Sequence, residues 1–209
     1  MKRYFVRASL AIVIAWCLSP TGAARAQASA WCPPAGTTIK GTNDQGAYTR
    51  VAKGADPGDS AVCVSVLNGP GAGIDNGKTI HRLYGWYDLD HYSRTPATTT
   101  DMHRGLGAIL SGQTSKTAFE MTSSQNGTRY NWSGTENWER VGQATLSIGG
   151  RPTAVVMLRE AFKGGASSGY DGFWNLWYDP ALHVFVKGEH HAAGGPINNT
   201  FTVLSVSRP

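Results

Sequence analysis

The stretch Phe173-Trp174-Asn175-Leu176-Trp177-Tyr178-Asp179-Pro180-Ala181-Leu182-His183-Val184-Phe185-Val186-Lys187 decides the fold. Trp174, Leu176 and Tyr178 alternate with Phe173, Asn175 and Trp177, so one strand places bulky groups on both faces of a sheet. Asp179-Pro180 ends the run, because proline fixes φ and the aspartate can bond backbone N–H groups ahead of it. Past the turn, Val184 and Val186 oppose His183, Phe185 and Lys187, giving one apolar and one mixed side. The segment predicts a β-hairpin inside a sheet with a large aromatic core.

The same signals recur on either side of it. Residues 201–206 read as a closing strand. Gly149-Gly150 is a two-residue hairpin turn joining strands over 138–148 and 152–162. Further strands are expected over 116–122 and, after a Gln125-Asn126-Gly127 turn, over 129–134. Toward the N-terminus, strands are expected over 37–40, 48–52, 61–67 and 79–89. In the third of these, Val62, Val64 and Val66 alternate with Cys63 and Ser65. One helix is predicted, over 102–111, capped by Thr100 or Asp101 and stopped by Gly112, with Leu106, Ile109 and Leu110 as its apolar stripe. Gly-Pro punctuation between these runs fits many short strands, and no internal repeat is present.

Residues 1–26 read as a secretory leader. Lys2, Arg3 and Arg7 form a basic start, 8–18 is an apolar run too short to span a bilayer, and Ala24-Arg25-Ala26 is a small-x-small cleavage site. Trp16 before Cys17 does not suit lipid attachment, so a soluble mature chain without stable membrane insertion is expected, secreted to a bacterial periplasm. The full chain has 19 basic and 14 acidic residues. Removing Lys2, Arg3, Arg7 and Arg25 leaves 15 against 14, a net charge of +1. The overall pI near 9.2 therefore describes mostly the leader, and no nucleic-acid partner is expected. Residues 27–209 suit one β-rich domain. Its two cysteines, Cys32 and Cys63, predict a disulfide worth roughly 3–4 kcal/mol, and their count excludes a CxxC redox site or a thiolate metal cluster.

Motifs with catalytic potential lack their context. Gly165-Ala166-Ser167-Ser168-Gly169 matches Gly-x-Ser-x-Gly but lies between strands, where the nucleophile elbow needs a strand-to-helix turn. Gly69-Pro70-Gly71-Ala72-Gly73 fits neither a dinucleotide fingerprint nor a P-loop. His190 and His191 are adjacent, so on a strand they face opposite sides and chelate poorly. Asp88-Leu89-Asp90-His91 is a similar polar cluster, and Asp88/Asp90 and Glu136/Glu139 are the candidate carboxylate pairs. No metal, cofactor or catalytic residue is assigned from these. The aromatics carry the strongest signal: besides filling a core, Trp138, Trp174, Trp177 and Tyr178 are the candidates to line a concave face for an apolar ligand or a sugar face.

Trp177-Tyr178-Asp179-Pro180, then Val184-Phe185-Val186-Lys187, with Phe201-Thr202-Val203-Leu204 closing the chain, resembles uncharacterised bacterial periplasmic half-barrel proteins, lipoprotein-carrier-like or lipocalin-like. Trp138-Glu139-Arg140-Val141-Gly142 fits the same layout, so the resemblance covers 130–206 and leaves 27–112 unmatched. It implies a fold and a compartment and carries over no catalytic residue. The reading is a mainly β protein: a curved antiparallel sheet or half-barrel with one short helix and one disulfide. The expected role is a non-catalytic envelope protein holding a lipid-like, apolar or amphipathic ligand. The alternatives are a hydrolase using His183, His190 or His191, and a structural or surface interaction protein without a pocket.

Overall fold

A computed structural model describes residues 31–125, 131–165, 171–192 and 195–209. The leader, the turn after Gln125 and the serine motif beyond Gly165 lie outside the described residues. Among the described residues the alternating runs form twelve strands. β1 is Thr38–Asn43, β2 Gly46–Ala55, β3 Val62–Asn68, β4 Thr79–Leu83, β5 Tyr87–Asp88 and β6 Tyr92–Arg94. β7 is Lys116–Gln125, β8 Asn131–Ile148, β9 Arg151–Gly164, β10 Asp171–Asp179, β11 Val184–Ala192 and β12 Ile197–Ser207. They make one antiparallel sheet in the order β5-β4-β3-β2-β1-β12-β11-β10-β9-β8-β7-β6.

That order is a meander bent round on itself. β1 pairs with β12, which brings the first and last strands together. The two edges, β5 and β6, are neighbours in sequence, linked by Leu89, Asp90 and His91. The sheet is therefore nearly closed. Side chains join its edges: Arg94 Nη1 donates to the Asp88 carbonyl at 2.8 Å, and His91 Nδ1 lies 2.9 Å from Asp88 Oδ2.

Several elements depart from the sequence reading, among them a short 3-10 helix over Pro70–Asp75 in the expected Gly-Pro loop, so the helix over 102–111 is not alone. The helix α1 (Pro96–Ser111) begins well before residue 102. Thr95 caps it, accepting from the Thr98 N–H at 3.2 Å, and Pro96 occupies the first turn, where its missing N–H costs nothing. The Ser/Thr/Pro run reads as a spacer, yet Thr99 and Thr100 donate their hydroxyls to the carbonyls four residues back and fit the helix. Gly112 ends it in the left-handed conformation, as expected. The expected strand 79–89 is instead the β4–β5 hairpin. Tyr84 and Gly85 both take positive φ at its turn, and Tyr84 is held there by donating to the His103 carbonyl at 3.1 Å. The strands expected over 129–134 and 138–148 are one strand, β8, with a bulge between Arg140 and Gly142.

The inner face carries the larger core. Met102, Leu106, Ile109 and Leu110 of α1 pack there with Leu83, Phe119, Met121, Trp138, Leu158, Leu176, Tyr178 and Phe185. On the other face Ile39, Ile148, Val155, Val184, Val186 and Val203 form a second core. The tip of the β8–β9 hairpin reaches this core, where Gly149 donates its N–H to the Leu204 carbonyl at 2.7 Å. Gly149 and Gly150 both have positive φ, as a two-residue hairpin turn requires. The Asp179 turn also forms as read: Oδ1 accepts from the N–H groups of Ala181 and Leu182 at 2.8 and 3.1 Å. Cys32 and Cys63 are disulfide-bonded, with Cα atoms 5.2 Å apart, tying the entry segment to β3. No helix among the described residues is long and apolar enough to cross a membrane.

Candidate functional site

Register builds the site. Across β8, β9, β10, β11 and β12 one row of paired residues runs Trp138, Glu160, Trp174, His190, Asn199. The row beside it runs Glu136, Phe162, Gly172. Both rows face inward, so two glutamates sit in the apolar phase of their strands. Glu136 is 4% exposed and Glu160 3%. The β4–β5 hairpin covers them from the opposite wall. Trp86 Nε1 donates to Glu160 Oε2 at 2.9 Å, and the Tyr87 hydroxyl lies 2.8 Å from Glu160 Oε1 and in contact with Glu136 Oε2. Trp138 Nε1 donates to the same hydroxyl at 3.0 Å.

A phenol has one proton to give. Set between two carboxyl groups and already accepting from Trp138, Tyr87 can bond both only if one carboxyl is itself protonated. The electrostatics agree. Burial pushes Glu136 up to about 7, partly offset by its bonds from Tyr87 and by the Arg94 charge. Burial, then the charge of Glu136, push Glu160 well above the carboxylate range. The pair holds a shared proton at neutral pH. Tyr87 is in turn held well above the ordinary phenol range by burial and by both glutamates, so it stays a donor.

A pocket of about 240 Å³ opens on this pair, lined by Trp86, Tyr87, Tyr92, Arg94, Met121, Ser123, Trp132, Glu136, Glu160, Phe162 and Trp174. Its walls are aromatic: Trp86 meets Trp174 edge-on at 5.2 Å, and Trp132 meets Phe162 edge-on at 6.5 Å. Trp132 Nε1 and Arg94 Nε are buried without a hydrogen-bond partner among the described residues, although Arg94 Nη1 is engaged at Asp88. Buried polar groups are mostly paired in proteins, and two of the four orphaned side-chain atoms among the described residues belong to residues of this pocket. Trp86 also lines a second cavity, of about 430 Å³, with Arg50, Arg82, Leu67, Phe185 and Phe201 among its other walls.

Of the four residues expected to line a concave face, only Trp174 lines the aromatic pocket. Trp138 is 1% exposed, behind the pocket wall, spending its N–H on Tyr87. Tyr178 is 2% exposed, its hydroxyl 3.0 Å from His183 Nδ1. Trp177 is on the other face by strand alternation, with Lys187 Nζ 4.4 Å from its ring centroid. Neither expected carboxylate pair is the one that forms. Glu139 faces away from Glu136 and ion-pairs with Lys116 at 2.8 Å, while Asp88 Oδ1 accepts the Asp90 N–H at 2.9 Å. Glu160 went unread, although a glutamate in phase with Val156, Leu158 and Phe162 was the signal.

The histidines are dispersed. His190 is buried beside Phe162 and bonds Asn198, and His191 stacks on Phe173 at 4.6 Å on the other side of β11. Asp75, Asp88 and His91 do converge, with ligand atoms within 4.8 Å of one another. His91 is raised above its usual value chiefly by its bond to Asp88, and it bridges to Asp75 at 3.4 Å. The His91 imidazole sits between the two carboxylates and engages both.

No family model matches the chain, and no curated protein matches its sequence. Among solved structures it is similar to the hypothetical lipoprotein YmcC of Escherichia coli, with a TM-score of 0.52 and 13% identity over 84% of this chain and 88% of that one. A candidate exported protein with a YmcC-like fold from Bacteroides fragilis aligns at a TM-score of 0.41 and 9% identity, over 85% of this chain and 98% of its own. A candidate lipoprotein from Parabacteroides distasonis aligns at 0.39 and 10%, over the same shares. At this identity the likeness to YmcC shows the fold alone. The resemblance to uncharacterised bacterial half-barrel proteins thus holds for the fold. Its span is wider than 130–206, since 84% of the chain is covered and the matching region must include part of the N-terminal half.

Proposed function

We propose that the chain is a non-catalytic envelope protein that holds a small amphipathic ligand in the pocket between Trp86, Trp132, Phe162 and Trp174. One observation carries the reading: Trp132 Nε1 and Arg94 Nε are buried, unpaired donors on residues lining an aromatic-walled pocket. A buried donor left unsatisfied costs roughly 1–3 kcal/mol, a cost that an acceptor on a ligand removes. The ligand that fits has a flat apolar face for the rings and oxygen atoms for the donors, as a sugar ring or a hydroxylated lipid fragment has. The proton shared by Glu136 and Glu160 favours an uncharged ligand, because the pair can both donate and accept. The leader-like start of the chain supports an exported location.

Catalysis by the glutamate pair fits less well. Glycoside hydrolysis needs two carboxyl groups about 5 Å or more apart, with roles split between them, whereas these two meet at one phenol. The test is mass spectrometry of ligand extracted from protein purified natively, beside a Trp174→Ala variant with an unchanged circular dichroism spectrum. A stoichiometric ligand present in the parent and lost in the variant is expected. Equal ligand in both, or none in either together with no binding from a panel of sugars and short-chain lipids, overturns the reading.

A further inference from the structure

The second cavity has a different chemistry. Arg50 on β2 and Arg82 on β4 both line it, and both also line a small neighbouring cavity with Pro33, Cys63 and His183. Neither makes an ion pair within 4 Å among the described residues, and Arg82 Nε is buried without a hydrogen-bond partner. Burial and then the charge of Arg82 push Arg50 down to about 10. Two guanidiniums lining one cavity repel, and leaving such charges without an ion pair away from water is costly.

The nearby acids are already engaged. Asp75 lines the same cavity, but His91 Nε2 lies 3.4 Å from its Oδ1. Asp88, opposite Arg82 in the β4–β5 ladder, bonds His91 through Oδ2 and caps two backbone N–H groups through Oδ1. The charged side chains that line the cavity, Arg50, Arg82 and Asp75, leave it net positive by one. Tyr48 adds a hydroxyl to it, and Leu67, Trp86, Phe185 and Phe201 give it an apolar side.

We infer that this cavity is an oxyanion site in which Arg50 and Arg82 together hold a phosphate group, either free or borne by a lipid headgroup whose apolar part lies along Leu67, Trp86, Phe185 and Phe201. Two planar guanidinium forks match the oxygens of a phosphate, and its charge removes the repulsion between them. The site is separate from the glutamate pocket and stands whether or not that pocket binds a neutral ligand.

Calorimetric titration tests it with two probes: inorganic phosphate, and dihexanoyl phosphatidylglycerol below its micelle concentration. Binding by the parent is expected, weakened by at least about tenfold in Arg50→Gln and in Arg82→Gln. A lipid bound much more tightly than inorganic phosphate assigns the headgroup source, and equal affinities assign free phosphate. Without phosphate, Arg50→Gln should melt no lower than the parent, since it removes a repulsion, whereas a purely structural arginine would lower the melting temperature. Should a variant fail to fold, the parent decides: phosphate must raise its melting temperature above that in chloride at equal ionic strength. Binding of neither probe by the parent, or unchanged affinity in both variants, overturns the inference.

Discussion

Glu136 and Glu160 are diagonal neighbours on the inner face of the β8–β9 ladder, Glu136 opposite Phe162 and Glu160 opposite Trp138, and both reach the hydroxyl of Tyr87. Tyr87 comes from the far edge of the sheet. One phenol therefore ties the β4–β5 hairpin to the long β8–β9 hairpin. The groups facing the pair are Trp86 and Tyr87 from the β4–β5 hairpin, Arg94 from β6 and Trp138 from β8.

That arrangement makes stability fall as pH rises. Glu136 is raised from 4.5 to about 7 in the folded protein, and Glu160 is raised further in the same direction. Between these values the folded state holds more protons than the unfolded chain. The contribution of Glu136 is full below about pH 4.5 and is lost as pH climbs through 7, and that of Glu160 goes on falling at higher pH. From Glu136 alone a loss on the order of 2–3 kcal/mol between pH 5 and pH 8 is expected, to which Glu160 adds. Urea unfolding across that range checks it. Glu136→Gln, which leaves no second acid beside Glu160, should flatten the slope, and an equal slope in the variant would remove Glu136 as its source.

Much of the fold was legible because alternation and turn chemistry are local. The Asp179 turn, the Gly149-Gly150 hairpin and the Gly112 helix stop each depend on one or two residues and their own backbone. The candidate site was less legible because it is made by register between distant strands. Sequence spacing puts Glu136 next to Glu139, whereas the β8–β9 ladder puts it next to Glu160. Trp177 and Tyr178 are adjacent in sequence, and the strand sends them to opposite faces. Closure was hidden for the same reason, since nothing in Tyr87–Arg94 announces that its two halves are opposite edges of one sheet.

Trp138 and Trp177 separate core from surface. Trp138→Ala removes a fully buried indole and the N–H bonded to Tyr87, at an expected cost of about 3–5 kcal/mol. Trp177→Ala removes a half-buried ring under Lys187, on the face away from both cavities, at an expected cost of about 1–2 kcal/mol. Ligand affinity should be unchanged in Trp177→Ala. Chemical denaturation and ligand titration of the two variants check this, and a Trp177→Ala variant that folds but loses ligand would place the site on the other face.

Reduction of the Cys32–Cys63 bond should lower stability by roughly 3–4 kcal/mol, since it closes a loop with a sequence separation of 31. Both cysteines are buried, so dithiothreitol should act slowly on the folded protein and quickly in moderate urea. A paired Cys32→Ala/Cys63→Ala variant with the parent's midpoint in urea would show that the entry segment is held by its other contacts.

Gly188 tests how closely the inner face is packed. It pairs with Phe201 across β11 and β12, and the Phe201 ring lies over it. A Cβ at residue 188 would stand 2.2 Å from Phe201 Cε1, so the ring has to move. Phe201 also lies 6.0 Å from Trp86 and lines the cavity that holds Arg50 and Arg82. Gly188→Ala therefore pushes a ring into that cavity, and overpacking of this kind costs about 1–3 kcal/mol. The expected result is a lower melting temperature together with weaker phosphatidylglycerol binding, while inorganic phosphate, which needs only the guanidiniums, binds as in the parent. Equal loss of both probes would mean that the displaced ring reaches the arginines. Unchanged stability would mean that the Phe201 ring has room to swing aside, and that the inner face at β11 is looser than its buried aromatics imply.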